Sequence, residues 1–111
     1  MAIYVDTSAA VKLVVKEPES TALRRWLRGN PMAAVSSDLT RIELLRATRR
    51  AAPRLTTRAR AVLDSLTLVQ LTTELAERAA LLDPASLRSL HAIHLATALA
   101  LGDDFDGRVT Y

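Results

Sequence analysis

The sequence predicts an α/β fold, a three-layer α/β/α sandwich with a mostly parallel central sheet, and three observations predict it. Short β-favouring runs alternate with one or two helical segments along the chain, the order that parallel pairing with crossover helices requires. Half of the 111 residues are apolar, enough to fill one hydrophobic core without cross-links. No internal repeat, low-complexity tract or linker interrupts the pattern, so residues 1–111 are expected to form a single domain.

The elements follow in order. Ala2-Ile3-Tyr4-Val5 is an apolar, β-favouring run, and Asp6-Thr7-Ser8 breaks it into the cap of a helix from Ser8 to about Val15, which Pro18 stops. Ser20 to Arg28 forms a second amphipathic segment through Leu23, Trp26 and Leu27, ended by Gly29-Asn30-Pro31. Ala33 to Ser36 is a brief second strand, after which Ser37 or Asp38 caps a helix running to about Ala52, before Pro53. Thr56 or Thr57 opens a helix from Arg58 to about Leu66, and Thr67 to Leu71 reads as the third strand. Thr72 or Thr73 caps Glu74 to Leu82, broken by Asp83-Pro84. Ser86 to Ser89 lead into a helix through Leu101 that is apolar on nearly every side, the pattern of a helix buried in the domain centre. Gly102 to Gly107 turn the chain, and Arg108 to Tyr111 start a fourth strand that stops abruptly.

Composition removes several function classes. The absence of cysteine excludes disulfide scaffolds, thiolate zinc sites and thiol catalysis. The apolar stretches fall well short of the ~18–20 residues that span a bilayer, and the N-terminus lacks a signal-peptide pattern, so a cytoplasmic protein with no membrane association is expected. Four aromatic residues are too few for a base-stacking platform. Charge is divided unevenly: residues 1–60 hold 12 basic and 5 acidic side chains, whereas residues 61–111 hold 3 and 7. Seven arginines fall between Arg41 and Arg60, among them Arg41, Arg46, Arg49 and Arg50, and their planar forks suit phosphate oxygens. A solvated pair of helix faces, or a docking surface for an acidic partner segment, reads the same cluster equally well.

In open parallel sheets, sites form beyond the carboxyl ends of the strands. Asp6 follows strand one; Ser37 and Asp38 follow strand two, with Glu43 one turn further on. His91, near the start of the last helix, could close on the same crevice. No Gly-rich phosphate loop follows a strand and no nucleophile elbow is present, which leaves carboxylates, the ligands of a hard cation such as Mg²⁺ or Mn²⁺. Each candidate has a structural alternative. Asp6 is also suited to cap its helix, and Glu43 to pair with Arg46 or Arg50 along one stripe. His94 reads as a satisfied core histidine, and Asp103, Asp104 and Asp106 as a solvated turn at the sheet edge away from Asp6.

These residues resemble a known family. Ile3-Tyr4-Val5-Asp6-Thr7-Ser8-Ala9, with Val11-Lys12-Leu13 and Glu17-Pro18-Glu19, is similar to the start of a PIN-domain ribonuclease of the VapC toxin type. Ser36-Ser37-Asp38-Leu39-Thr40-Arg41-Ile42-Glu43-Leu44 resembles that family's second acidic motif, Leu90 to Leu99 its third block, and Val109-Thr110-Tyr111 the beginning of its last. The resemblance implies a PIN-like fold and a metal-dependent endoribonuclease acting as the toxin of a type II toxin–antitoxin pair. It further implies a VapB-type antitoxin, an RNA substrate (tRNA or rRNA) and a homodimer. By motif match Asp6 is the first acid and Glu43 the second, holding Mg²⁺ or Mn²⁺, with Thr7 and Ser8 in supporting positions. The arginines Arg41, Arg46, Arg49 and Arg50 would hold the RNA backbone, and the cut would leave a 3′-hydroxyl and a 5′-phosphate.

Two departures matter. The family's third acid, an aspartate, is His91 here, and its fourth would follow Tyr111, where the sequence stops; the family's C-terminal strand and helix are then expected to be missing. An imidazole suits Mn²⁺, Zn²⁺ or Ni²⁺ better than Mg²⁺, so weakened or metal-shifted nuclease activity is expected with Asp6, Glu43 and His91 as the site. The alternative is a catalytically weakened PIN domain that acts mainly in antitoxin binding and dimerisation.

Overall fold

In the computed structural model, residues 2–15, 25, 28–29, 34–104 and 109–110 are described. Strands β1 (Ala2–Tyr4), β2 (Ala34–Ser37), β3 (Thr67–Val69) and β4 (Val109–Thr110) form one sheet in the order β3-β2-β1-β4, with every neighbouring pair parallel. Ile3 stands opposite Ala34 on one side and Thr110 on the other. Val5 donates its N–H to the Val35 carbonyl at 2.8 Å, and Asp38 does the same to Val69 at 2.8 Å, carrying the ladder one residue beyond each strand end. The helices are α1 (Thr7–Val14), α2 (Leu39–Ala51), α3 (Thr56–Asp64), α4 (Thr73–Ala80) and α5 (Ser89–Asp104), with a 3₁₀ turn at Pro53–Leu55.

Alternation along β1 and β2 sorts the two faces. Val5 and Ala34 pack with Ala10, Val14, Leu44, Ala59, Leu63 and Leu66, so α1, α2 and α3 cover one face. Tyr4 and Val35 meet Ala98 on the other face, and Leu75, Ala79, Ala92 and Ala96 join α4 to α5 beside Val69. Three layers result, as the sequence predicts. The polar groups of the first core are satisfied internally: the fully buried Ser36 hydroxyl donates to the Val5 carbonyl and meets Thr40 Oγ1 at 2.8 Å. Ser36 thus has its proton in place, and Thr40 donates to it.

Several expectations are corrected. The α1 helix begins at Thr7, one residue before Ser8, and of the Asp6-Thr7-Ser8 run Asp6 is the cap: its Oδ1 accepts from the Ala9 N–H at 3.0 Å. Ser37 Oγ accepts from the Leu39 N–H at 3.1 Å, whereas Asp38 makes no side-chain cap. Thr56 opens α3, which ends at Asp64, and β3 stops at Val69. The turn expected from Gly102 starts later, since α5 runs on through Asp104. That helix is nonetheless buried along its middle turns, as its apolar pattern predicts. Ala92, His94, Ala96, Thr97 and Ala98 are buried on all sides of the helix, against the sheet and α4, and the exposed positions from 89 to 102 are Ser89, Leu90 and His91 in the first turn and Leu99. Most of the segment from Ser20 to Arg28, and the region of Asp106 and Tyr111, lie outside the described residues; Gly29 itself is helical.

Which threonine caps α4 is decided by a hydrogen bond. Thr72 Oγ1 accepts from the Leu75 N–H at 3.1 Å, and Thr73 is the first helical residue, exposed. Thr72→Ala should therefore cost about 1 kcal/mol and lower the melting temperature by roughly 5 °C. Thr73→Ala should leave melting, followed by circular dichroism, nearly unchanged. Equal effects from both would contradict this assignment of the cap.

Candidate active site

The carboxyl ends of β1 and β2 lie side by side because these strands are parallel neighbours at the centre of the sheet. The chain leaves β1 through Val5 into the Asp6-Thr7 turn, and leaves β2 through Ser37 and Asp38 into α2. Glu43 sits one turn into α2 and is half-buried. The hydroxyl of Thr7 donates to Glu43 Oε1 at 2.7 Å, joining residues 36 positions apart. Asp6 is the chain neighbour of Thr7, with Cα atoms about 3.8 Å apart, so the Asp6 backbone and the Glu43 carboxylate lie on the order of 1 nm apart or less.

A third element completes this corner. His94, on the buried side of α5, brings its Nε2 to 2.9 Å from Glu43 Oε1 and 3.4 Å from Thr7 Oγ1. Its other ring nitrogen, Nδ1, lies 2.7 Å from the Tyr4 hydroxyl. Tyr4 and His94 are both almost fully buried, and their rings meet edge to face with centroids 5.8 Å apart. Glu43 thus turns away from Arg46 and Arg50, and the pairing along its own helix is replaced by contacts reaching 36 and 51 residues through the chain. Local spacing rules do not see such contacts. The signal available in the sequence was His94 within the apolar run of the last helix, together with the tyrosine two residues before Asp6.

The remaining candidates divide. Asp6 does cap its helix, which engages Oδ1. Ser8 is exposed in the first turn of α1, and of the two hydroxyls Thr7 is the one that reaches Glu43. His91 is exposed, one turn before His94. Among the described residues no three His, Cys, Asp or Glu side chains gather into a group that could hold a metal, so the trio Asp6, Glu43 and His91 is not assembled. The carboxylates of Asp6 and Glu43 follow the ends of β1 and β2. Such a pair suits Mg²⁺, which is held by one or two protein carboxylates while water and substrate phosphate take the other positions. Arg41, Arg46, Arg49 and Arg50 are all exposed on α2; Arg41 lies 3.5 Å from Asp38 in an open ion pair that adds little stability. Asp103 and Asp104 close α5, and β4 begins beside Ala2, at the end of the sheet remote from Asp6. Among the described residues no helix is long and apolar enough to cross a membrane.

Comparison with known proteins gives a consistent result. The sequence pattern described as the PIN domain matches residues 3–108. Ribonuclease VapC47 of Mycobacterium tuberculosis is 45% identical over 113 residues, covering 98% of this chain and 83% of that protein. Ribonuclease VapC46 of the same species is 46% identical over 110 residues, covering 99% and 84%, and Ribonuclease VapC35 is 41% identical over 101 residues, covering 90% and 75%. Among solved structures, a chain of a toxin–antitoxin complex from Klebsiella pneumoniae superimposes with a TM-score of 0.71 at 25% identity, covering 100% of this chain and 97% of that one.

Proposed function

Since this chain belongs to the PIN-domain family, within its VapC branch, we propose that it is the ribonuclease toxin of a type II toxin–antitoxin pair and cleaves RNA phosphodiester bonds at the Asp6–Glu43 corner. The observation that carries this reading is the Thr7–Glu43 hydrogen bond, which ties the turn after β1 to the helix after β2. Asp6 and Glu43 would hold Mg²⁺ or Mn²⁺. When bound, that ion supplies charge for the non-bridging phosphate oxygens and acidifies the attacking water. The chain's own residues do the rest. Thr7 and His94 fix the Glu43 carboxylate, the cap bond orients Asp6, and the exposed Arg41, Arg46, Arg49 and Arg50 attract the phosphate backbone, so affinity for RNA falls as salt rises. Extending the family's properties to this chain adds a VapB-type antitoxin, a tRNA or rRNA substrate, a homodimer and residence in the cytoplasm.

One observation favours a second reading, that of a weakened nuclease acting mainly through antitoxin binding: no third acidic side chain joins the pair among the described residues, and His91 stands where the family carries aspartate. Purified protein incubated with total RNA in Mg²⁺, in Mn²⁺ and in EDTA tests both. Cleavage that needs the cation supports the first reading. No cleavage with either metal, in protein that still binds its antitoxin, supports the second. His91→Asp should raise the Mg²⁺-supported rate on the order of tenfold by restoring a hard oxygen ligand and a negative charge. An unchanged rate would mean that position 91 takes no part in holding the ion.

A further inference from the structure

The group that bears on Glu43 from inside the protein is the buried Tyr4–His94 pair. Thr7 Oγ1, Glu43 Oε1 and His94 Nε2 form a triangle with sides of 2.7, 2.9 and 3.4 Å. Both hydrogen bonds to the Glu43 carboxylate fall on Oε1, and Oε2 has no donor among the described residues. The Thr7 hydroxyl has one proton, committed at the shortest side of the triangle, so the bond at 2.9 Å needs its proton on His94 Nε2. With that proton on Nε2 and the ring uncharged, Nδ1 is bare and accepts from the Tyr4 hydroxyl 2.7 Å away.

We propose that Tyr4 and His94 act as a positioning brace for Glu43: Tyr4 holds His94 in the Nε2–H tautomer, and His94 with Thr7 saturates one carboxylate oxygen so that the other is kept for the ligand. The brace rests on the proposed role of Glu43 at the site. It assigns a function to a histidine that, by burial and satisfied hydrogen bonding, would otherwise count as core. Outer partners that orient a metal-binding side chain are worth roughly 10–100-fold in metal affinity.

Two amides separate the brace from mere packing. His94→Gln places an amide nitrogen near the position of Nε2 and retains the donor to Glu43. His94→Asn places its amide near Nδ1, keeping a partner for Tyr4 but losing the donor. Mn²⁺ binding by calorimetry should weaken about tenfold or more in His94→Asn and recover most of that loss in His94→Gln. RNA cleavage should follow in kcat more than in KM, with both variants folded by circular dichroism. If both amides fold and bind Mn²⁺ alike, the brace is refuted. The tautomer is read separately by ¹⁵N NMR of the metal-free protein: wild type should show the proton on Nε2, and Tyr4→Phe should mix the two forms. A proton on Nδ1 in wild type overturns the brace, whatever the enzyme does with RNA. A wild-type protein with the expected tautomer but no Mn²⁺ binding and no cleavage would instead remove the proposed nuclease function and leave the hydrogen-bonded arrangement standing.

Discussion

Asp6→Asn should reduce RNA cleavage by at least about 100-fold, some 2.7 kcal/mol of transition-state stabilisation, while leaving the protein as stable as wild type. The substitution separates the two things Asp6 does. Its Oδ1 accepts from the Ala9 N–H at 3.0 Å and caps α1. Asparagine caps a helix about as well as aspartate, so melting should stay within roughly 0.5 kcal/mol of wild type. What asparagine lacks is the negative charge that the proposed cation site of Asp6 and Glu43 would need. Asp6→Ala would lose both, adding about 1 kcal/mol of destabilisation to the catalytic defect. Cleavage of total RNA in Mn²⁺, measured beside thermal melting, gives the answer. An Asp6→Asn protein that cleaves like wild type would reduce Asp6 to a cap.

The largest effect on stability is expected at Leu44. This residue is 0% exposed and packs with Val5, Ala10, Val14, Ala34, Ala59, Leu63 and Leu66, where the inner faces of α1, α2 and α3 meet the sheet. Leu44→Ala removes three carbons from a site enclosed by helices and strands that collapse only in part, at a cost of about 3–4 kcal/mol. For a domain whose whole stability is of order 5–15 kcal/mol, that is a large share, and the melting temperature should fall by about 15 °C. Ile42, two positions earlier and 58% exposed, is the matching control: Ile42→Ala should stay within about 0.5 kcal/mol. Urea unfolding with an unchanged slope would confirm that the native state alone is affected. A loss at Leu44 no greater than at Ile42 would mean that the core is not where these contacts put it.

Much of this architecture is legible in the sequence, and the reasons are physical. Ala2 to Val5 can be read as a strand because its β-favouring run is cut off by residues that cap helices, and Pro53 marks the end of α2 because proline cannot continue a helix. Asp6 and Glu43 stand out as acids at strand ends, where parallel sheets form their crevices. The parts that escape sequence reading are those set by distance through space. Periodicity shows α5 to be apolar nearly all round, but not where neighbouring elements stop covering it, so the half exposure of Leu90 and Leu99 is set by packing alone. Spacing along α2 suggests Arg46 as the partner of Glu43; the actual donors, Thr7 and His94, come from two other elements. For Asp6 the cap is the role the hydrogen bonds show, and it engages one oxygen of a carboxylate that has two.

The inner position of β1 has a consequence for how the chain is made. One flank of this strand pairs with β2, but the other waits for Val109 and Thr110, more than a hundred residues downstream. At about 5–20 residues per second, the ribosome needs on the order of 5–20 s to supply them. Through that interval the nascent protein carries an open row of amide and carbonyl groups along β1, a ready template for pairing with a neighbouring chain.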